Sequence, residues 1–273
     1  MKKNQQNQKE KKTTEKETND TTKKIKETIE ELKKLGVLAR RTVKQQNVKK
    51  IKTYIEGLDK MLYGGLVESS TVIIAGGPGC GKTLLLLQYV YYAAMNNEKA
   101  LFISTNESIE KIKKHAEVIG LKENENVKFL FYSPYEIKEI IKEGGLSLID
   151  YAKSNNIKKV ALDSISSIKI SFNTPQEENE FIYKFFETFQ KMKVTSLITL
   201  EKGDDEGFSR WEFMADGIIR LKTFYELDFR IRSIEIVKMR DTFFYEHVAP
   251  YYITPHGVEI IAHARVFEPK KKS

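Results

Sequence analysis

Apolar positions along this chain fall into two rhythms that alternate from residue 51 onward. TVIIA (71–75), ALFIS (100–104), VKFLFY (127–132), VALD (160–163) and TSLITL (195–200) are short and almost continuously apolar. Strands buried on both faces of a parallel sheet read this way. Between them, segments near 82–96, 107–119, 135–154 and 175–193 carry apolar residues at helical spacing. The alternation predicts an α/β domain of three layers with a mostly parallel central sheet. After residue 210 the order changes. DGIIRLK (216–222), FRIRSIEIVKM (229–239) and GVEII (257–261) follow one another without helices, which predicts antiparallel C-terminal edge strands. No internal repeat is visible, so one such domain is expected.

The N-terminal region reads differently. Residues 1–20 hold Met1 as their only large apolar side chain, too little to offset the entropy of ordering, and disorder is expected there. Ile25, Ile29, Leu32 and Leu35 then form a narrow stripe that predicts a short amphipathic helix near 22–35, ended by Gly36. Residues 36–50 read as a linker. The expected organisation is a basic arm over 1–47, one folded domain over 48–265 and a basic tail over 266–273.

Charge sharpens this division. The chain's net charge is +8, yet residues 1–50 alone hold 16 Lys+Arg against 7 Asp+Glu, leaving 30 against 31 for the rest. The excess positive charge therefore sits in the arm. It could meet nucleic acid or an acidic partner, or simply be solvated. The solvated reading is preferred, and nucleic acid is not the favoured partner. The stripe at 22–35 suits docking onto a protein. No apolar run is long enough to span a bilayer, so membrane insertion is not expected. No apolar segment follows the first lysines as it would in a signal peptide. The single Cys80 cannot form an internal disulfide. A cytoplasmic protein is expected.

The chemistry begins at GGPGCGKT, 76–83, which fits G-x-x-x-x-G-K-[ST] between an apolar strand and an amphipathic helix. The backbone of Gly76, Gly77, Pro78, Gly79, Cys80 and Gly81 would wrap phosphate oxygens, with Leu84 in the first turn of the helix behind it. The helix N-terminus adds partial positive charge. Lys82 would reach the β- and γ-phosphates of ATP, and the Thr83 hydroxyl would ligate Mg²⁺. The strand KKVALD ends in Asp163, where a P-loop ATPase keeps a carboxylate for the metal. The plainer role for Asp163 is to cap the next helix.

At this point the chain resembles a known family. YIEGLDKMLYGGLVESSTVIIAGGPGCGKTLLLLQYVY (54–91) is similar to the KaiC-like branch of the RecA-type ATPases. That family approaches its phosphate loop through G-L-D and G-G-L segments, here Gly57-Leu58-Asp59 and Gly64-Gly65-Leu66. VALDSISSI resembles its magnesium-site strand, and IEIVKMRDTFFYEHVAPYYITPHGVEI (234–260) resembles its last strands. The resemblance covers about residues 48–262. It implies a RecA-like fold and self-association, typically as a hexameric ring with ATP at each interface. It also implies that Lys238 and Arg240, with Thr242 close by, reach the nucleotide of a neighbouring subunit. Two cations there would act as an arginine finger does. Read without the family, they are edge-strand charges that discourage pairing. The family's glycine after the arginine is Asp241 here.

A second departure concerns turnover. KaiC-like proteins usually carry two adjacent acids after the strand that follows the phosphate-loop helix. Those positions fall on Asn106 and Glu107, the candidate catalytic pair. An amide can hold a water but cannot take its proton. Two readings follow: a slow ATPase acting as a regulatory or assembly switch with Glu107 as its carboxylate, or a hydrolysis-deficient ATP-binding module of a larger motility or signalling complex. A RadA-like role on DNA through the arm is a third, weakened because the arm has no aromatic residues for base stacking. Autophosphorylation is not expected, since Trp211-Glu212-Phe213 offers no Ser-Thr acceptor pair. Glu201, at the end of TSLITL, could sense the γ-phosphate, cap a helix or pair with Lys202. Trp211 is expected in the core or an interface.

Overall fold

A computed structural model describes residues 48–203, 206–226 and 229–266. The arm, the helix expected near 22–35 and most of the basic tail lie outside the described residues. Two short strands, β1 (Lys50–Ile51) and β2 (Leu66–Val67), pair antiparallel around helix α1 (Glu56–Met61). Lys50 thus belongs to a strand rather than to the expected linker.

The remaining elements build a sheet sandwiched by helices. In chain order they are β3 (Thr71–Gly76), α2 (Lys82–Met95), β4 (Ala100–Ser104), α3 (Ile109–Val118) and β5 (Val127–Phe131). Next come α4 (Pro134–Lys142), α5 (Leu146–Ser154), β6 (Lys159–Asp163), α6 (Ile165–Lys169), α7 (Pro175–Met192) and β7 (Thr195–Glu201). The last are α8 (Arg210–Met214), β8 (Gly217–Glu226), β9 (Phe229–Met239), β10 (Ala249–Thr254) and β11 (Gly257–Ile260). The sheet runs β11-β10-β9-β8-β3-β7-β6-β4-β5. From β8 to β5 every neighbouring pair is parallel, and β9, β10 and β11 add on antiparallel.

Alternation along each buried strand divides the core in two. Val72, Ile74, Phe102 and Leu197 face α1, α2 and α3. Ile73, Leu101, Val160 and Ile198 face α4 to α8. This period of two is why the strands are apolar at every position.

The α/β class, the parallel centre and the antiparallel edge agree with the reading of the sequence. Three details differ. The expected strand at 216–222 is parallel to β3, and antiparallel pairing starts only at β9. Strand β10 was not among the expected elements. The segment 135–154 is two helices, because Gly144 and Gly145 take φ of +89° and +66°. A Cβ at Gly145 would stand 2.3 Å from Thr188 Cγ2 on α7, so the corner demands glycine for both shape and space.

Candidate functional site

The sheet order fixes where a ligand can sit. The chain leaves β3, forms α2 and re-enters the sheet at β4, three strands away, with β7 and β6 filled in later. Open α/β sheets bind ligands beyond the carboxyl ends of their strands at such a switch point. Here β3 and β7 run about two residues beyond β6 and β4. Gly76 lies opposite Glu201, and Ser104 opposite Asp163.

The phosphate loop joins β3 to α2. Gly81, at φ +91°, turns the chain into the helix, and a helix N-terminus offers unpaired backbone N–H groups of the kind an anion site uses. Lys82 Nζ donates to the carbonyls of Gly76 and Gly77, both at 2.8 Å, so the ammonium is held against the loop it serves. Thr83 Oγ1 donates to Asp163 Oδ2 at 2.6 Å. The other carboxylate oxygen of Asp163 accepts from Thr199 on β7. Asp163 is thus turned toward the loop, and no hydrogen bond makes it the cap of α6. Thr83 and Asp163 together offer hard oxygen donors, the chemistry that Mg²⁺ prefers. The Asp163–Ser164 peptide bond is cis.

Cys80 is buried inside the loop. Burial pushes its thiol up, against the opposing pull of Lys82, so the thiol stays neutral and acts as packing. Its carbonyl accepts from Tyr251 Oη at 2.6 Å. Tyr251 on β10, with Ile253 against Gly81 and Gln88 bonded to Val258, backs the loop and α2. Reading the sequence missed this support. The clue available was the apolar alternation of YYITPHGVEI, too short to say what it packs against.

The candidate catalytic pair divides. Thr105 ties the end of β4 to β6, its N–H donating to the Asp163 carbonyl at 2.8 Å and its hydroxyl accepting from Ser164 N–H at 2.9 Å. Asn106 Nδ2 then donates to Ser164 Oγ at 3.1 Å, one residue from Asp163. Glu107 points along α3, where its carboxylate meets Lys111 Nζ at 2.5 Å and His115 Nδ1 at 3.5 Å. Asn106 therefore sits beside the end of β6, while Glu107 is engaged by its own helix.

Lys238, Arg240 and Thr242 lie at the other end of the sheet from the phosphate loop. Met239 pairs with Gly217, which pairs with Val72, near the start of β3. Four residues of strand, about 13 Å, separate that level from Gly76. These groups cannot serve the loop of their own chain. Lys238 Nζ donates to the carbonyls of Glu212, Phe213 and Ala215 at the end of α8. Burial draws its pKa down, and the neighbouring Arg240 adds to this. Arg240 reaches Phe213 O and Asp216. Thr242 is half-buried, its hydroxyl bonded to Phe243 O. Asp241 takes φ +61°, a conformation that glycine adopts freely and Asp tolerates. The family glycine is therefore a demand of the turn, and the ion partner of Arg240 is Asp216.

Glu201 is exposed beside Gly76, its N–H bonded to Ser166 Oγ at 2.7 Å. It does not pair with Lys202, whose ammonium is buried against Glu212. Trp211 is in the core, against Phe181, Phe185 and Phe186. The G-L-D segment works through Asp59, which accepts from Thr53 N and Oγ1 and from Tyr54 N and so pins the segment leading into α1.

A family model described as "ATPase: KaiC" matches residues 51–265. The chain belongs to the KaiC ATPase family. The resemblance drawn from the three sequence blocks is thereby borne out, as is the RecA-like P-loop fold. Among curated relatives, a circadian clock oscillator protein KaiC of a Picosynechococcus species is 31% identical over 231 residues, 79% of this chain and 45% of that protein. KaiC 1 of a Synechocystis species is 30% identical over 237 residues, 81% of this chain and 46% of the relative. KaiC of Synechococcus elongatus is 28% identical over 233 residues, 79% and 44% respectively. The chain spans about half the length of these KaiC proteins. KaiC-family membership and the loop geometry together identify a P-loop ATP-binding protein of the RecA/KaiC type. Among the described residues, no helix is long and apolar enough to cross a membrane.

Proposed function

We propose that this KaiC-family chain is an ATP-dependent assembly switch that hydrolyses Mg²⁺-ATP slowly. One contrast carries the reading: the metal-side residues Thr83 and Asp163 are joined at 2.6 Å, while Glu107 is tied to Lys111 and His115. The contrast supports a binding half that is assembled and a water-activating half that is held back.

In this reading the loop N–H groups and Lys82 hold the phosphates. Thr83 and Asp163 would hold Mg²⁺, which when bound neutralises charge on the β- and γ-phosphates. Asn106 orients a water through its amide, and Glu107 supplies the carboxylate that takes the proton. Lys238, Arg240 and Thr242 act on the nucleotide of a neighbouring copy, as their position far from their own loop supports. A ring of six is the proposed assembly. The helix expected at 22–35 is proposed as a docking segment for a protein partner, and a cytoplasmic location fits the lone buried Cys80.

A second reading, ATP binding without turnover, is favoured by the same Lys111 contact. Single-turnover hydrolysis by wild type, Glu107→Ala and Asn106→Glu separates the two. A slow wild-type rate abolished by Glu107→Ala supports the switch with turnover. An unchanged rate in Glu107→Ala contradicts the role given to that carboxylate.

A further inference from the structure

Strand β9 carries cations at both ends, Arg230 and Arg232 at its start and Lys238 at its close. Alternation places Arg230 and Arg232 on the same face as Ile234 and Ile236, which are buried on the side of the sheet that holds α2. At the level of Ile234 the strand has already reached Gly76, through Leu221. Arg230 therefore lies beyond the end of β3, where the phosphate loop stands. Its Nη2 is 3.4 Å from the point a Cβ on Gly79 would occupy.

Among the described residues Arg230 has no acidic partner. No hydrogen bond or ion pair joins its guanidinium to the described residues, and the side chain is exposed. Arg232, one step deeper on the same face, has a buried Nε without a hydrogen-bond partner. Tyr251, which holds the Cys80 carbonyl, feels both cations. Two guanidinium groups thus gather at the loop, and among the described residues no carboxylate pairs with them. A planar guanidinium is well matched to phosphate oxygens, which it binds through two parallel hydrogen bonds.

We propose that Arg230 is a phosphate-contacting residue for nucleotide bound in its own subunit, reaching it over Gly79 from the tip of the β8–β9 ribbon. The assignment rests on the proposed ATP site. It is distinct from Lys238 and Arg240, which lie at the opposite end of the same strand. β9 would then contact two nucleotides, its own through Arg230 and a neighbour's through Arg240.

The test is a titration of the full-length chain with ribose-labelled fluorescent ATP in Mg²⁺, followed by competition with unlabelled ADP. Wild type, Arg230→Ala and Phe229→Ala are compared, the last reporting disturbance of the strand end alone. The expected result is an affinity for ATP weakened about tenfold in Arg230→Ala, the loss of roughly one charge-assisted contact. The loss should be larger for ATP than for ADP, and Phe229→Ala should match wild type. A change of less than threefold in Arg230→Ala, or an equal loss in Phe229→Ala, overturns the assignment while leaving the ATP site intact. No saturable binding by wild type overturns the ATP site and this inference together.

Discussion

The hydroxyl of Thr83 and the carboxylate of Asp163 meet at 2.6 Å, joining the start of α2 to the end of β6 across the switch point of the sheet. Asp163 is also held by Thr199, so its aim is fixed from two sides. Asp163→Asn keeps the shape and removes the charge. Its affinity for ATP should fall about 10- to 100-fold with Mg²⁺ present and change little in EDTA. Calorimetric titration in the two buffers checks both arms.

Asn106 and Glu107 each yield a gain-of-rate prediction of different size. Asn106→Glu restores a carboxylate beside Ser164 and should raise single-turnover hydrolysis by about 10²- to 10⁴-fold, the usual worth of a positioned base. Lys111→Ala releases Glu107 from its strongest contact and should raise the rate by a smaller factor. Rapid-quench measurements at saturating ATP would record both.

Lys238 and Arg240 can be told apart by stability. Lys238 serves three carbonyls at the end of α8, so Lys238→Ala should cost about 1.5–3 kcal/mol of folding free energy. Arg240, half exposed, makes weaker contacts, and Arg240→Ala should cost under about 1 kcal/mol. Both should weaken assembly driven by ATP. Urea unfolding and light scattering on the same samples check the pair.

Much of this site was legible in the sequence because its central motif is local. GGPGCGKT needs only a strand before it and a helix after it, and Asp163 stands at the end of an apolar strand. The helix break at 144–145 was also written in the sequence, as Gly144-Gly145, but the apolar periodicity continues across it and hides the corner. What escaped depends on contacts between distant segments. Tyr251 supports Cys80 from 171 positions away, and Arg230 reaches Gly79 only because β9 is antiparallel to β8. The clamp on Glu107 lies between these cases. Its spacing to Lys111 and His115 is helical, but only the start of α3 at Ile109, with Ser108 as its cap, shows which way the carboxylate turns.

One acid-sensitive contact lies outside the site. Lys138, the N–H of Asn173 and Lys142 together hold the Glu177 carboxyl down to about 2, from an ordinary value of 4.5. Its charged form therefore favours the folded state. That contribution is complete above about pH 4.5 and is lost as the pH falls toward 2. Glu177→Gln should lower the urea midpoint at pH 7, and the gap to wild type should narrow at pH 3. A constant gap across that range would argue against the linkage.

Native mass spectrometry of the full-length chain with and without Mg²⁺-ATP reads bound nucleotide and subunit number together. The account expects a closed oligomer carrying one nucleotide per subunit in ATP, its dissociation when nucleotide is removed, and loss of both nucleotide and assembly in Lys82→Ala. A wild-type spectrum that stays monomeric and nucleotide-free in saturating Mg²⁺-ATP would contradict it.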